Sequence, residues 1–438
     1  MSKEILVIGG GPAGIEAARE AAKVGLRVTL VSAGPVGGRA GWHSLLPSKV
    51  WLAAAEEARQ GGVASVAPGA ILDRLGQVKQ AWNKAQQASL DQLGVKVKQG
   101  TAVFNNAGEV QVLDGDGKVI EQFSGLPVIV AGGSVPVFPP ALKPDGRRVI
   151  APRLLSRLAK LPRSILVIGA GATGCEAAFL FNALGVSVTW IVDQYGILPR
   201  FAPGIGDALG EALADQGVAI VGGEMVADLQ RGEEEITAAL HGGQSYSAEM
   251  AFVAIGRKPD LGSLNLGAAG IEVGKDGRIA VDEYGRTRNP LIYLIGDADG
   301  GVMTANKAQA QGRIAARHLA GMETAPFEAN LVIQPVYTEP QVAQVGDVSG
   351  EVKLRVPFAQ SLKSYLLPEG QGFLQLYYDE EDLSILGATA IGPHAADVLS
   401  SVLVAMKLGG TLDDLAQLYA AYPSLSELVF SAAREGGR

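Results

Sequence analysis

One local pattern is written twice along this chain and fixes most of what it can become. Ile5–Leu6–Val7–Ile8, a short apolar run, passes straight into Gly9–Gly10–Gly11–Pro12–Ala13–Gly14, then into helix-spaced residues Ile15 to Val24 and a second apolar run, Val28–Thr29–Leu30–Val31. Ser164–Ile165–Leu166–Val167–Ile168, Gly169–Ala170–Gly171–Ala172–Thr173–Gly174, a helical stretch through Leu184 and the run Val186 to Val192 repeat that order. Such a glycine triplet is weak evidence alone, but between a strand and a helix it predicts a βαβ dinucleotide-binding unit. The glycines let the backbone approach a pyrophosphate, and the helix N-terminus offers free N–H groups and a favourable dipole. Two units imply two dinucleotides.

With 438 residues the chain has room for two or three domains. Its 47% hydrophobic and 19% charged residues suit a soluble α/β protein. No apolar run approaches the roughly 20 residues that cross a bilayer. The apolar N-terminus runs directly into a glycine turn without a cleavage region, so a cytoplasmic location is expected. The formal charge of −8 comes without a basic stripe, which argues against nucleic acid. Cys175 is the single cysteine, so one chain can form neither an internal disulfide nor a multi-thiolate metal site. His43, His241, His318 and His394 show no metal-ligand spacing, and no metal is expected.

Between the two units, Leu52 to Gln60 and Ala70 to Leu93 read as helices and Val95 to Val97 as a strand. Leu126 to Ala131 and Ala251 to Ile255 read as buried strands that end in Gly132–Gly133 and Gly256–Arg257, where the chain can cross between domains. From about Pro335 the pattern changes to strand-like runs at Lys353 to Val356, Gly372 to Tyr378 and Leu383 to Ile391. Helices follow at Ala395 to Lys407 and Leu412 to Ala420. That α+β region has no glycine motif and suggests an interface role.

Three further segments carry chemistry. Gly37 to Lys49 reads GGRAGWHSLLPSK, Thr287 to Asp297 reads TRNPLIYLIGD, and Tyr422 to Glu427 reads YPSLSE. Together with the glycine turns they resemble the pyridine nucleotide-disulfide oxidoreductase family, dihydrolipoamide dehydrogenase-like, over essentially the whole chain. The resemblance implies two Rossmann-like domains, for FAD and NAD(P), and a C-terminal α+β dimerisation domain. The boundaries would be 1–145 with 265–325 for FAD, 146–264 for NAD(P) and 326–438 for the interface of a homodimer.

In that family the first of these segments carries a redox-active cysteine pair. Ala40 and Leu45 stand at the two cysteine positions, so the thiol-exchange centre is missing. Tyr422 stands where the family has a catalytic histidine, whereas the glutamate, Glu427, remains; soluble pyridine nucleotide transhydrogenase resembles the chain in both losses. An unperturbed tyrosine titrates at about 10, too high for a general base at neutral pH. Lys49 and Glu176 match the family's pair beside the flavin, where a cation stabilises the reduced ring and a carboxylate holds the cation. The resemblance therefore names Lys49, Glu176, Tyr422 and Glu427 as the catalytic candidates.

For FAD it implies Gly9, Gly11, Pro12, Ala13, Gly14, Ser32, Lys49, Ala131, Gly132, Gly296, Asp297, Asn306 and Ala308, with Asp297 accepting from the ribityl hydroxyls. For the nicotinamide nucleotide it implies Gly169, Gly171, Thr173, Gly174, Asp193 and Gly256. The ribose acids fall on Ser32, which offers only a hydroxyl, and on Val192, followed by Asp193. With no cation in Val192–Asp193–Gln194, NADH is favoured over NADPH. Trp42 and His43 are expected to pack where the disulfide would stand, and Cys175 to be a small packing residue. The expected activity is hydride transfer from NAD(P)H to flavin and on to a non-disulfide acceptor. That acceptor is a nicotinamide nucleotide, a quinone or dye, dioxygen or a partner protein. The alternatives are an FAD-binding structural or interaction subunit with decayed catalysis, and, less favoured, use of thiols supplied from outside.

Overall fold

The computed structural model describes residues 4–61, 67–368 and 370–437. The first glycine unit opens a five-stranded parallel sheet in the spatial order Ile292–Leu294, Val128–Val130, Glu4–Ile8, Arg27–Ser32 and Lys96–Gln99. Its central strand is buried on both faces, with Ile5, Leu6 and Val7 fully enclosed, which is why it reads as a continuous apolar run without alternation. Helices Pro12–Lys23 and Ala305–Leu319 pack against each other over one face. The other face is covered by an antiparallel meander of Thr101–Asn106, Glu109–Leu113 and Val119–Ser124, through Ala102, Phe104, Val110 and Val112.

A second five-stranded parallel sheet repeats the plan in the order Ala219–Val221, Ser187–Ile191, Ser164–Ile168, Met250–Val253 and Val149–Ile150. Its helix Ala172–Ala183 shows no polar stripe, because it is sandwiched between this sheet and the helix Leu45–Gly61. A helix apolar on all sides belongs in such a layer. A second meander, Val226–Arg231, Ile236–Leu240 and Ser245–Ala248, closes the far face. The chain leaves and returns through one narrow joint, where Ser134–Pro136 pairs antiparallel with Arg257–Pro259.

The third layer is a five-stranded antiparallel sheet, ordered Gln334–Val336, Gln341–Gly346, Ile385–Gly392, Phe373–Tyr378 and Leu354–Pro357. The helices Ser400–Leu408, Leu412–Ala416 and Glu427–Gly436 follow it in the chain and contribute to its apolar core. Two helices are shorter than their apolar spacing predicts. Ala395–Lys407 divides at Leu399 into Ala395–Val398 and Ser400–Leu408, and the next helix stops at Ala416 rather than Ala420. No helix among the described residues is long and apolar enough to cross a membrane.

Candidate functional site: two glycine turns and a lysine–glutamate joint

The two glycine turns are built alike. Gly9 and Gly169 carry φ of +108° and +107°, conformations that L side chains rarely adopt. A Cβ on Gly14 would stand 1.8 Å from the Gly9 carbonyl oxygen, and one on Gly174 would stand 1.9 Å from that of Gly169. These third glycines are therefore required for the helix to close on the turn. Gly11 and Gly171 instead face open space, with nothing within 4 Å of an added Cβ. Both serve as N-caps without a capping side chain, so Pro12–Ala13 and Ala172–Thr173 begin helices whose N-terminal groups remain available to an anion. The indole of Trp190 donates to the Gly169 carbonyl at 3.0 Å and fixes the second turn.

Around the first turn other elements converge. A Cβ on Gly38 would lie 2.8 Å from Gly11 Cα, which brings the start of the short helix Gly38–His43 against the turn. Gly9 packs on Ala131, whose N–H donates to the Ile8 carbonyl at 2.7 Å. Gly296 packs against Ala13 and Ala308, so the aspartate loop after Ile292–Leu294 is seated on the same helix. Asp297 there accepts from the Ser134 hydroxyl, and Arg257 donates to Ser134 Oγ at 2.8 Å and to its carbonyl at 2.9 Å. Burial pulls the Arg257 guanidinium below its ordinary pKa, while the Asp297 charge opposes this.

Arg39 completes the roof by donating to Asp260 and, at 2.6 Å, to the Gly132 carbonyl. Beneath, Asp299 is paired with the buried Lys307, which also donates to Gly300 O at 2.7 Å, while Gln311 bridges Asp299 and the Gly296 N–H. Burial nevertheless raises the Asp299 carboxyl above its ordinary value. The sequence reading named none of Arg39, Asp260, Ser134, Arg257, Asp299 and Lys307 as a site residue. Arg39 was legible in position, inside the GGRAGWHSLLPSK segment, but its partner lies 221 residues away.

Lys49 and Glu176 do meet. Lys49 Nζ lies 2.7 Å from Glu176 Oε1, half-buried, although they are 127 residues apart. The helix Leu45–Gly61 brings the lysine and Ala172–Ala183 the carboxylate. Tyr337 is the member the sequence did not reveal: its N–H donates to the same Glu176 oxygen at 3.1 Å, and its ring lies 4.3 Å from the ammonium. The ammonium is thus held between a carboxylate and an aromatic face. Burial, followed by the Glu176 and Asp397 charges, pushes the Tyr337 phenol above its usual value.

Comparison with known proteins agrees with this construction. Residues 3–312 match the sequence profile of the pyridine nucleotide-disulphide oxidoreductases, and residues 332–433 match that family's dimerisation domain. The chain belongs to the pyridine nucleotide-disulphide oxidoreductase family. It is 30% identical to dihydrolipoyl dehydrogenase 2 of Haloarcula marismortui, covering 98% of this chain and 96% of that one. It is 29% identical to an NAD(P)H dehydrogenase (quinone) of Mycobacterium tuberculosis over 99% and 94%. The crystal structure of LpdA from M. tuberculosis superposes with a TM-score of 0.92, at 28% identity and 99% coverage of both chains.

Membership in this family implies FAD and a nicotinamide nucleotide, and the residues present fit both. The open space before Gly11 and Gly171, the uncapped helix starts and the carboxylate of Asp297 beside the first turn are what a dinucleotide and a ribityl chain require. The redox-active pair is missing, with alanine at 40 and leucine at 45.

Several expectations need correction. His43 does not fill the space of a disulfide: it is exposed, as is Leu45 at 40%. Only Trp42 is fixed inward, its indole donating to Val36 O at 2.9 Å. Within the single chain the Glu427 carboxylate accepts from the fully buried Ser361 hydroxyl at 2.6 Å. Tyr422 itself is 73% exposed within its own chain.

Ser32 is buried and donates to Gly34 O at 2.8 Å, which leaves its oxygen as an acceptor. The Asn306 amide donates to Ile333 O at 2.8 Å and ties its helix to the C-terminal layer. Asp193 follows the buried Val192 and accepts from Tyr195 N–H at 2.9 Å, leaving its second oxygen unassigned. Gly256 lies at the joint, next to Arg257. Cys175 is fully buried, and burial raises its thiol well above the ordinary value, as a packing residue requires.

Proposed function

We propose that this protein oxidises a reduced nicotinamide nucleotide, NADH in preference to NADPH, and passes the two electrons to an acceptor that is not a disulfide. The balance is NADH + H⁺ + acceptor → NAD⁺ + reduced acceptor, the acceptor gaining two electrons and two protons. The observation that carries this reading is the pairing of an intact Lys49–Glu176–Tyr337 joint with a neighbouring segment that holds no sulfur.

Bound FAD would supply the two-electron relay between donor and acceptor. Lys49 would hold positive charge where negative charge develops, and Glu176 and Tyr337 would keep that ammonium in place. In this assignment residues 1–145 and 265–325 hold FAD, 146–264 hold the nicotinamide nucleotide and 326–438 form the interface of a homodimer. Dimerisation would cover Tyr419, Leu408 and Tyr422, which are 99%, 78% and 73% exposed in the single chain. Asp193 would accept from a ribose hydroxyl and repel a 2′-phosphate. Quinones are the favoured acceptor class, because a relative that matches across nearly the full length is named for them.

The test is an anaerobic stopped-flow titration of the holoprotein. NADH bleaches the flavin on a turnover timescale, NADPH does so more slowly, and a quinone restores the colour. Failure of both nucleotides would leave the alternative, a flavin-binding interaction subunit.

A further inference from the structure

Near the segment that lacks sulfur the surface is basic, although the chain as a whole carries a formal charge of −8. Three elements meet there: the short helix Gly38–His43, the long helix Pro68–Gln92 and the turn of 3-10 helix Pro152–Arg157. Their positions are fixed by buried contacts. Trp51 donates to Leu155 O at 2.7 Å, Asn83 donates to Val36 O at 2.6 Å, and the Trp82 ring lies where a Cβ on Gly37 or Gly41 would fall. The first helix ends on exposed His43, the second carries Lys79, and the third carries exposed Arg153. The two cations, Lys79 and Arg153, have no carboxylate partner among the described residues. Lys79 Nζ lies 6.0 Å from the Trp42 ring, the only aromatic contact it makes among the described residues.

We propose that the electron acceptor is a small aromatic anion, a ring bearing a carboxylate, sulfonate or phosphate, received by His43, Lys79 and Arg153 beside Trp42. This rests on the oxidoreductase reading above and names the substrate class of that same site. Lys79 and Arg153, without a carboxylate partner on two fixed elements, retain their attraction for an anion, and His43 on the third adds a hydrogen-bonding imidazole, whereas the exposed arginines Arg39, Arg74 and Arg286 are each answered by a carboxylate. The indole, held by Val36, offers a flat face to a ring. The neighbourhood acts on His43 in the same sense: burial, then Arg153, Lys79, Arg157 and Arg39, hold its imidazole below the ordinary pKa. A bound anion would reverse that. A large acidic protein is disfavoured as occupant, since a stable interface needs more than about 1,000 Å² and the cluster spans a few side chains.

The experiment compares 1,2-naphthoquinone-4-sulfonate with neutral 1,2-naphthoquinone as acceptors for the NADH-reduced holoprotein. Raising NaCl from about 20 to about 300 mM lowers kcat/KM for the sulfonate by about tenfold and leaves the neutral quinone within about twofold. The double variant Lys79→Gln/Arg153→Gln shows the same loss for the sulfonate at low salt and no longer responds to salt. Retained FAD and an unchanged Tm report that this variant is folded. Equal effects of salt, or of the variant, on both quinones would overturn the proposal. Bleaching of the flavin by NADH is followed separately, so its failure strikes the oxidoreductase reading. In that event equilibrium dialysis of the sulfonate against oxidised wild-type and variant holoprotein still decides the site, since equal binding would remove it.

Discussion

The two glycine turns agree within a degree at Gly9 and Gly169 and within about a tenth of an ångström at Gly14 and Gly174, yet their surroundings differ. The first is roofed by the start of the helix Gly38–His43 and by Arg39, which reaches Asp260 and Gly132. The second is met by an extended loop, with Leu198 N–H donating to Ala170 O at 2.9 Å, and the next helix begins only at Ile205. If the first turn holds FAD and the second the nicotinamide nucleotide, as proposed above, one motif would serve a ligand that stays and a ligand that exchanges, and the neighbours of the turn rather than the turn would set the difference.

The largest test of that comparison is Gly14→Ala beside Gly174→Ala. Each Cβ would strike a backbone carbonyl, so each costs about 1–3 kcal/mol or more in stability, read as a lower midpoint in urea. Gly14→Ala should also release flavin on gel filtration, whereas Gly174→Ala should keep the flavin and raise KM for NADH. Loss of flavin from both would break the distinction.

Next in size is Lys49→Met, which leaves flavin bound and slows its bleaching by NADH on the order of 10²-fold. Glu176→Gln should follow in the same direction with a smaller factor, because Tyr337 still faces the ammonium. A smaller effect comes from Asp193→Asn, expected to raise KM for NADH about fivefold and to narrow the preference over NADPH. An unchanged NADH:NADPH ratio would remove Asp193 from nucleotide selection.

The smallest effects lie outside both turns. Cys175 should resist iodoacetamide in the folded protein at neutral pH and react after denaturation, as its burial and raised pKa require. His43 should titrate below about 6.5 by NMR. Between that lowered value and about 6.5 the unfolded chain binds the extra proton. The neutral imidazole therefore contributes stability that is fully present above the window and is lost as pH falls through it.

What the sequence showed plainly was whatever lies within one supersecondary unit. Ile5 to Val31 and Ser164 to Val192 announce their strands, turns and helices because the glycine spacing and the apolar runs are contiguous. The two meanders at 101–124 and 226–248 were missed, since their outer strands are about half polar and only the short central strands Glu109–Leu113 and Ile236–Leu240 alternate cleanly. At the site, Lys49 and Glu176 were found through their motifs, but Tyr337, Arg39–Asp260 and Ser134–Asp297 depend on contacts across more than 150 residues, which no periodicity records. Glu427 was likewise found through its segment, but its contact there, the Ser361 hydroxyl, lies 66 residues away.

The outermost strand of the first sheet, Ile292–Leu294, comes from a part of the chain made after the whole second sheet. During synthesis Val128–Val130 must therefore wait with an open edge while well over a hundred residues emerge. An unpaired edge is a template for mispairing. The second sheet has all five of its strands by Val253 and can close before the first is finished. On the ribosome this molecule is completed from the middle outward, and the aspartate loop that follows Leu294 is among the last parts of the first unit to arrive.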